Sequence, residues 1–513
     1  TKNISKFKIL NFKENKYSNN SNIRLTLDNN YDLIMINKLF SHFNYNLNIT
    51  YKKISKLIQK NPEFFLENKI FKRNYGLKNE KNRYSFENAK KIIPTGNQML
   101  SKNPNYILPF QWPLYYQKAK GCKIITIDNK KYFDFSLMGV GSNILGYSNQ
   151  KIDSFVKKKI DKGSMSTLNC YEEYDLAEEL LKMNDWADMV RFAKTGGEIN
   201  SIAIRIARAA SGKDNVAFCG YHGWHDWYLS ANLKNDDNLN DHLMSGFYTA
   251  GVPKFLSNKS HPFKFNDINS IKQILSRDKN VGVIKMEVYR NTEPKISFLK
   301  SLRKICDKEG IVLIFDECTS GFRENYGGIY KRYGINPDMV LYGKALGNGY
   351  PITACVGKKE IMENANKSFI SSTFWSERIG FSAGIATLNE MKKIHSWMRI
   401  KEAGRLIRTG WSKLSKKYNF EVSFSGLYAL TNLEIKNENW NLINTLITQE
   451  MLRKGFLFSN SIYTSISHNK KNIDLYLNCL DAIFAKIAPF MHDKKYLIKN
   501  LKGPLPKKPF NRM

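Results

Sequence analysis

The run VLIFDECTSGF carries apolar residues straight into Asp316, Glu317, Cys318, Thr319, Ser320 and Gly321, which sets an acid at the carboxyl end of a buried strand. In an α/β layer that end faces the ligand crevice. Alone, Asp316 could equally be a metal ligand or a helix cap. Further along, MVLYGKALGNGYPITA places Lys344 just after a second apolar strand, among glycines at 343, 347 and 349. A lone lysine is normally a solvated surface charge. At a strand end in a glycine-rich apolar run it is partly desolvated, which disfavours the ammonium and leaves an amine that can attack an aldehyde. Asp316 supplies the matching part: a carboxylate paired with a pyridine nitrogen keeps it protonated and makes the ring an electron sink.

A ring of that kind carrying a phosphate needs an anion site, and KTGGEINSIAIRIARAASGK offers one. Thr195, Gly196 and Gly197 open a helix whose Ile199, Ile202, Ala203, Ile206 and Ala210 form an apolar stripe. Glycines permit close backbone approach, and a helix amino end presents unpaired N–H donors with a favourable dipole. A plain glycine-containing cap would look the same. Downstream, AFCGYHGWHDWY follows another strand and packs Tyr221, His222, Trp224, His225 and Trp227 together, so Tyr221 or His222 is expected to stack on a planar ring. His222 and His225 are spaced like a metal pair, but no carboxylate or cysteine completes a ligand set, and no metal is expected.

The elements that must position these groups alternate. Between about 147 and 385, helical segments alternate with the apolar strands MVRFA, NVAFCG, GVIKM, IVLIFDE, MVLYG and ITACVG, which predicts an α/β domain on a largely parallel sheet. Residues 386–513 read as a smaller α+β domain. Residues 74–146 read as a basic linker and a β-hairpin, ITI–DNKK–YFDF, belonging to that smaller domain. Residues 1–73, with a strand-like IRLTL and two helical patterns, DNNYDLIMINKLFSHF and ITYKKISKLIQKNPEFF, hold too little apolar surface for an independent core and read as an appendage.

At 513 residues, 42% apolar and 25% charged, the composition is that of a soluble globular protein, and no stretch approaches the ~18 apolar residues of a membrane span. The formal charge of +34 is spread along a Lys/Asn/Ile-rich chain without an arginine block, so neither a nucleic-acid nor a membrane partner is expected. Seven dispersed cysteines without a CxxC pair fit a reducing cytoplasm. The opening TKNISKFKILNFKENK has no initiator Met and no signal-peptide core, and reads as the start of a piece of something longer.

Taken together, TGGE, GYHGWHDW, IFDECTSGFR and GKALGNGYP, with SSTFWSERIG and the tail LKGPLPKKPFNRM, resemble the class III, fold-type I aminotransferases that use pyridoxal phosphate (PLP), and glutamate-1-semialdehyde 2,1-aminomutase and its relatives in particular. The resemblance covers roughly 105–513. It implies Lys344 as the covalent anchor of the cofactor and Asp316 on its ring nitrogen. It implies Thr195, Gly196 and Gly197 on the phosphate and Tyr221 or His222 against the ring. It also implies Cys318 on the other ring face, Asn291 near the ring hydroxyl, and Thr373 reaching the phosphate of the neighbouring subunit in a homodimer. Substrates would be a small amino donor and a carbonyl acceptor. The chain departs from the aminomutase in having TGG where that enzyme has an SGT-type motif, SLMGVGSN in place of SWGP, and Val288 where relatives have Pro after the glutamate.

The short SNIRLTLDNNYDLIMINKLFSHF resembles the closing segment of surface-polysaccharide cytidylyltransferases, which would tie an aminotransferase to glycan assembly. The alternatives are a true glutamate-1-semialdehyde aminomutase of tetrapyrrole synthesis, a PLP racemase or decarboxylase, and a basic binding protein on an inactive fold.

Overall fold

The computed structural model describes residues 30–46, 49–61, 63, 84–235, 238–240 and 248–507. The strand-like IRLTL, the first part of the cytidylyltransferase-like stretch and the last six residues of the tail lie outside them. The chain divides into two units, residues 1–114 with 441–449 and 490–507, and residues 115–440 with 450–489 and 508–513.

In the first unit, helices α1 (Asn30–His42) and α2 (Tyr51–Lys60) share a small apolar cluster of Met35, Leu39 and Leu57. Both lie where the two helical patterns predict them.

The second unit contains the sheet that matters for chemistry. Its strands are β1 (Tyr116–Lys120), β2 (Lys123–Thr126), β3 (Lys131–Phe135), β4 (Met189–Ala193), β5 (Asn215–Cys219), β6 (Ser260–Pro262) and β7 (Val281–Glu287). There follow β8 (Val312–Asp316), β9 (Met339–Tyr342), β10 (Thr353–Gly357), β11 (Val422–Ser425), β12 (Leu430–Ile435), β13 (Phe456–Phe458) and β14 (Ser461–Tyr463). The large sheet runs β4-β10-β9-β8-β7-β5-β6. Strands β9, β8, β7, β5 and β6 are mutually parallel, and β10 runs antiparallel between β9 and β4. The six apolar runs read from the sequence are β4, β5, β7, β8, β9 and β10. Strands β5, β7, β8 and β9 are buried throughout, as strands covered on both faces must be.

Period-two alternation assigns the faces. Leu313 and Phe315 of β8 join the core covered by helices 150–160, 171–183, 268–277, 296–309 and 378–394, while Val312 and Ile314 join the core under helix α3 (Gly196–Ser211). Asp316, two residues beyond Ile314, therefore falls on the α3 side of the strand end. Ile199, Ile202, Ala203, Ile206 and Ala207 bury the inner face of α3, each isoleucine contributing about 1.5–3 kcal/mol. Two smaller sheets, β1-β2-β3-β13 and β11-β12-β14, complete the unit. The β2–β3 pair is the antiparallel hairpin expected at ITI–DNKK–YFDF. Among the described residues no helix is long and apolar enough to cross a membrane.

Candidate active site

Asp316 is the last residue of β8 and is 2% exposed. Its Oδ2 lies 2.8 Å from His222 Nδ1 and 3.5 Å from Lys285 Nζ, and its Oδ1 accepts the Cys318 amide at 3.0 Å. Burial pushes its pKa up, but Lys285, His222 and the Cys318 amide outweigh that and hold the carboxyl ionised far below the ordinary aspartate range. The carboxylate is thus fixed and charged at the ligand end of the sheet.

His222 lies at the same end of the sheet. The ring is buried, with Nδ1 on Asp316 and Nε2 3.1 Å from the Cys219 carbonyl. Both nitrogen edges of the ring thus face protein oxygens. Tyr221 is half-buried, and its backbone N–H donates to Glu287 Oε2 at 2.9 Å, while Glu287 is held by Arg290 Nη1 at 2.8 Å. Gly220 is required there: its φ is +104°, and a Cβ would lie 2.8 Å from Glu287 Oε2.

Lys344 begins a short 3₁₀ turn after β9, and its amine donates to Thr319 Oγ1 at 2.6 Å. Its φ of +39° lies in the left-handed region that a side-chain-bearing residue adopts at a cost, the kind of strain that collects at functional sites. Cys318, buried beside Asp316, has a thiol raised well above the usual range by burial and by that carboxylate, so it is a neutral, polarizable wall. A Cβ on Gly343 would lie 3.2 Å from its Sγ, which sets the Lys344 turn against Cys318.

At the amino end of α3, Thr195 and Glu198 form a capping box: Thr195 Oγ1 accepts from the Glu198 amide, and Glu198 Oε2 accepts from the Thr195 amide at 2.8 Å. The amides of Gly196 and Gly197 have no partner among the described residues, which leaves two donors at the positive end of the helix. A Cβ on Gly197 would lie 2.9 Å from His225 Nε2 and 3.3 Å from Trp224 Nε1, whereas one on Gly196 would meet nothing within 4 Å. His225 and Trp224 thus join this end of the site.

Thr373 is exposed in a 3₁₀ turn, and Trp375 of that turn donates Nε1 to Glu198 Oε1 at 3.2 Å, which ties it to the capping box of its own chain. Asn291 is joined to the three-stranded sheet, its Oδ1 accepting from Asn432 Nδ2 at 3.1 Å and its carbonyl from the Gly426 amide at 2.7 Å.

Two participants escaped the sequence reading. Thr319 sits three residues after Asp316 in DECTSGF, inside a motif already singled out. Lys285 is the basic residue inside VGVIKME, where an apolar one would ordinarily face the core, and that exception was its signal.

Aminotransferase class-III, as a family, matches residues 109–468. The chain is 31% identical over 373 residues to 3-aminobutyryl-CoA aminotransferase of Cloacimonas acidaminovorans, covering 71% of this chain and 86% of that one. It is 28% identical over 432 residues to glutamate-1-semialdehyde 2,1-aminomutase of Methanocaldococcus jannaschii, covering 80% and 99%. Among solved structures, the PLP internal aldimine form of FumI from Sphingopyxis sp. MTA144 has the same fold, with a TM-score of 0.72 at 22% identity over 79% of this chain and 96% of that one. An omega-transaminase from Sphaerobacter thermophilus follows at 0.69 and 21%, covering 79% and 97%. The chain belongs to the class-III aminotransferases, PLP-dependent enzymes of fold type I that move amino groups between small molecules.

Proposed function

We propose that Lys344 anchors PLP and moves the proton, that Asp316 holds the ring nitrogen, and that Gly196 and Gly197 bind the phosphate. The observation that carries this assignment is the arrangement at the sheet end: a buried, ionised carboxylate fixed by His222, and a lysine amine held by Thr319. The residues present fit the cofactor. Asp316 is a charged acceptor, and two amides without a partner among the described residues stand at a helix amino end where Gly197 leaves no room for a side chain.

When bound, PLP supplies an aldehyde for the amine and a ring that takes up the electron pair of the broken C–H bond. The chain's residues do the rest. Lys344, once exchanged for the substrate amine, takes the proton from the substrate carbon as general base and returns it as general acid. Thr319 fixes its amine between those steps. Asp316 keeps a negative charge where the ring nitrogen would gather positive charge, and His222 keeps Asp316 from turning. Tyr221 supplies an aromatic face and Cys318 a soft wall.

Substrates would be an amino donor and a carbonyl acceptor. One relative is by name a 3-aminobutyryl-CoA aminotransferase and the other an aminomutase that moves an amino group between carbons 2 and 1, which favours substrates that carry an amino group away from the usual α position. If the chain were an aminomutase, one substrate would serve as both. Incubating PLP-loaded protein with single donors while following conversion of the cofactor to its amine form tests the assignment; no conversion by any amine, with Lys344 intact, would overturn it.

A homodimer in the cytoplasm is the setting we infer, with Thr373 serving the partner's phosphate site. The exposed Phe374 at that turn and the nearby exposed Trp224 support it. Mixing Lys344→Ala with Thr373→Arg chains should restore activity, because one mixed site carries neither lesion. A link to glycan assembly rests on the amino-terminal resemblance alone.

A further inference from the structure

Lys285 is fully buried in the middle of the sheet, paired in register with Phe218 of β5 and Ile314 of β8. Among the described residues its amine makes no hydrogen bond of good geometry. Its nearest counter-charge is Asp316 Oδ2 at 3.5 Å, the oxygen that also meets His222. The other titratable groups acting on it are Cys318, beyond the end of β8, and Cys355 of β10, both neutral thiols. Such a lysine is expensive to keep charged and needs a reason to be there.

One carboxylate cannot neutralise two cations. In PLP enzymes the ring nitrogen sits on the acid that here already has Lys285 and His222. The His222 pKa is lowered on balance, because burial outweighs the hydrogen bond to Asp316 and Lys285 lowers it further. Both of its ring nitrogens sit at 2.8 and 3.1 Å from acceptor oxygens, whereas a proton lost from Lys285 gives up only a long contact of 3.5 Å to Asp316. Lys285 is the group that can yield.

We propose that Lys285 is a positioning cation that serves as counter-ion to Asp316 until the cofactor's ring nitrogen takes its place, and that it then gives up one proton to solvent. The Nζ–H bond breaks, its electron pair stays on nitrogen, and the proton passes to buffer, so the net charge around Asp316 is the same before and after. The free protein would thereby keep its carboxylate ionised and aimed without cofactor. This rests on the PLP assignment above. Burial already biases Lys285 toward the neutral amine.

The test is calorimetric titration of PLP into cofactor-free protein in buffers of different ionisation enthalpy, with wild type and Lys285→Met, which keeps the volume and removes the charge. Wild type should release about one proton more than the variant, and its affinity relative to the variant should rise up to about tenfold per pH unit as pH increases, because proton release favours binding at high pH. PLP labelled with ¹⁵N should be ring-protonated in both. Lys285→Arg, which cannot yield its proton, should bind PLP at least about tenfold more weakly than wild type. Equal proton counts would overturn the proposal. So would a ring nitrogen unprotonated in wild type but protonated in the methionine variant. If neither chain bound PLP at all, the cofactor assignment itself would fall.

Discussion

The two ends of the candidate site are built on different plans. Around Asp316 the contacts are buried and come from this chain's own sheet and loops: His222, Lys285 and the Cys318 amide, with the half-buried Lys344 held by Thr319 on the turn that follows. At the amino end of α3 the donors are unpaired amides, the flanking Trp224 is largely exposed, and Thr373 projects into solvent. The electronic end is preorganised within one chain, while the anion end waits for a ligand and, in our proposal, for a second chain. Preorganised charge is where catalytic stabilisation is largest, whereas backbone amides mainly set affinity. The contrast can be broken by substitution.

The largest effect is expected for Lys344→Ala, which should reduce amino transfer to background while melting temperature changes by no more than a few degrees; retained turnover would contradict the assignment. Next, Asp316→Asn should bind cofactor yet lose about 3–4 kcal/mol of transition-state stabilisation, read as kcat in single-turnover half-reactions. At the anion end the effect should fall on affinity. Gly197→Ala drives a Cβ to 2.9 Å from His225 Nε2 and should weaken PLP binding about tenfold with kcat of the loaded enzyme little changed. Gly196→Ala meets open space and should leave binding within about twofold, so equal effects at both positions would mean that α3 does not hold the phosphate.

A further prediction concerns stability and tests the buried surroundings. Burial raises the Glu317 carboxyl to about 7, above its unfolded value. A raised carboxyl pKa contributes stability that is fully present below the unfolded pKa and is lost as pH rises through about 7. Glu317→Gln should therefore flatten the decline in stability between about pH 5 and 7, where the slope can reach about 1.4 kcal/mol per pH unit. Parallel denaturation profiles for the two proteins would contradict it.

Much of this architecture is legible in the sequence because buried parallel strands are plain apolar runs, and an acid or lysine at the end of such a run stands out. Strand β6, Ser260–Pro262, is short, polar and at the sheet edge, so it carries no such signal. The pairing of His222 with Asp316 joins residues 94 apart, and no local pattern shows it. Asn291 shows the same limit: its segment could be placed at the end of β7, but its tie to Asn432 depends on how a separate sheet packs. Lys285 is legible only as a charge inside an otherwise apolar run, and a single charge of that kind belongs to no motif.

The central claim is that Lys344, and not Lys285, forms the covalent link to the cofactor. Both lysines neighbour Asp316 and its following turn, but Lys285 lies on the carboxylate itself while Lys344 is held by Thr319. Reducing PLP-loaded protein with borohydride and mapping the peptides by mass spectrometry decides between them. The account predicts a single pyridoxyl adduct in MVLYGKALGNGYP at Lys344; an adduct on Lys285, or on any other lysine with Lys344 unmodified, would contradict it.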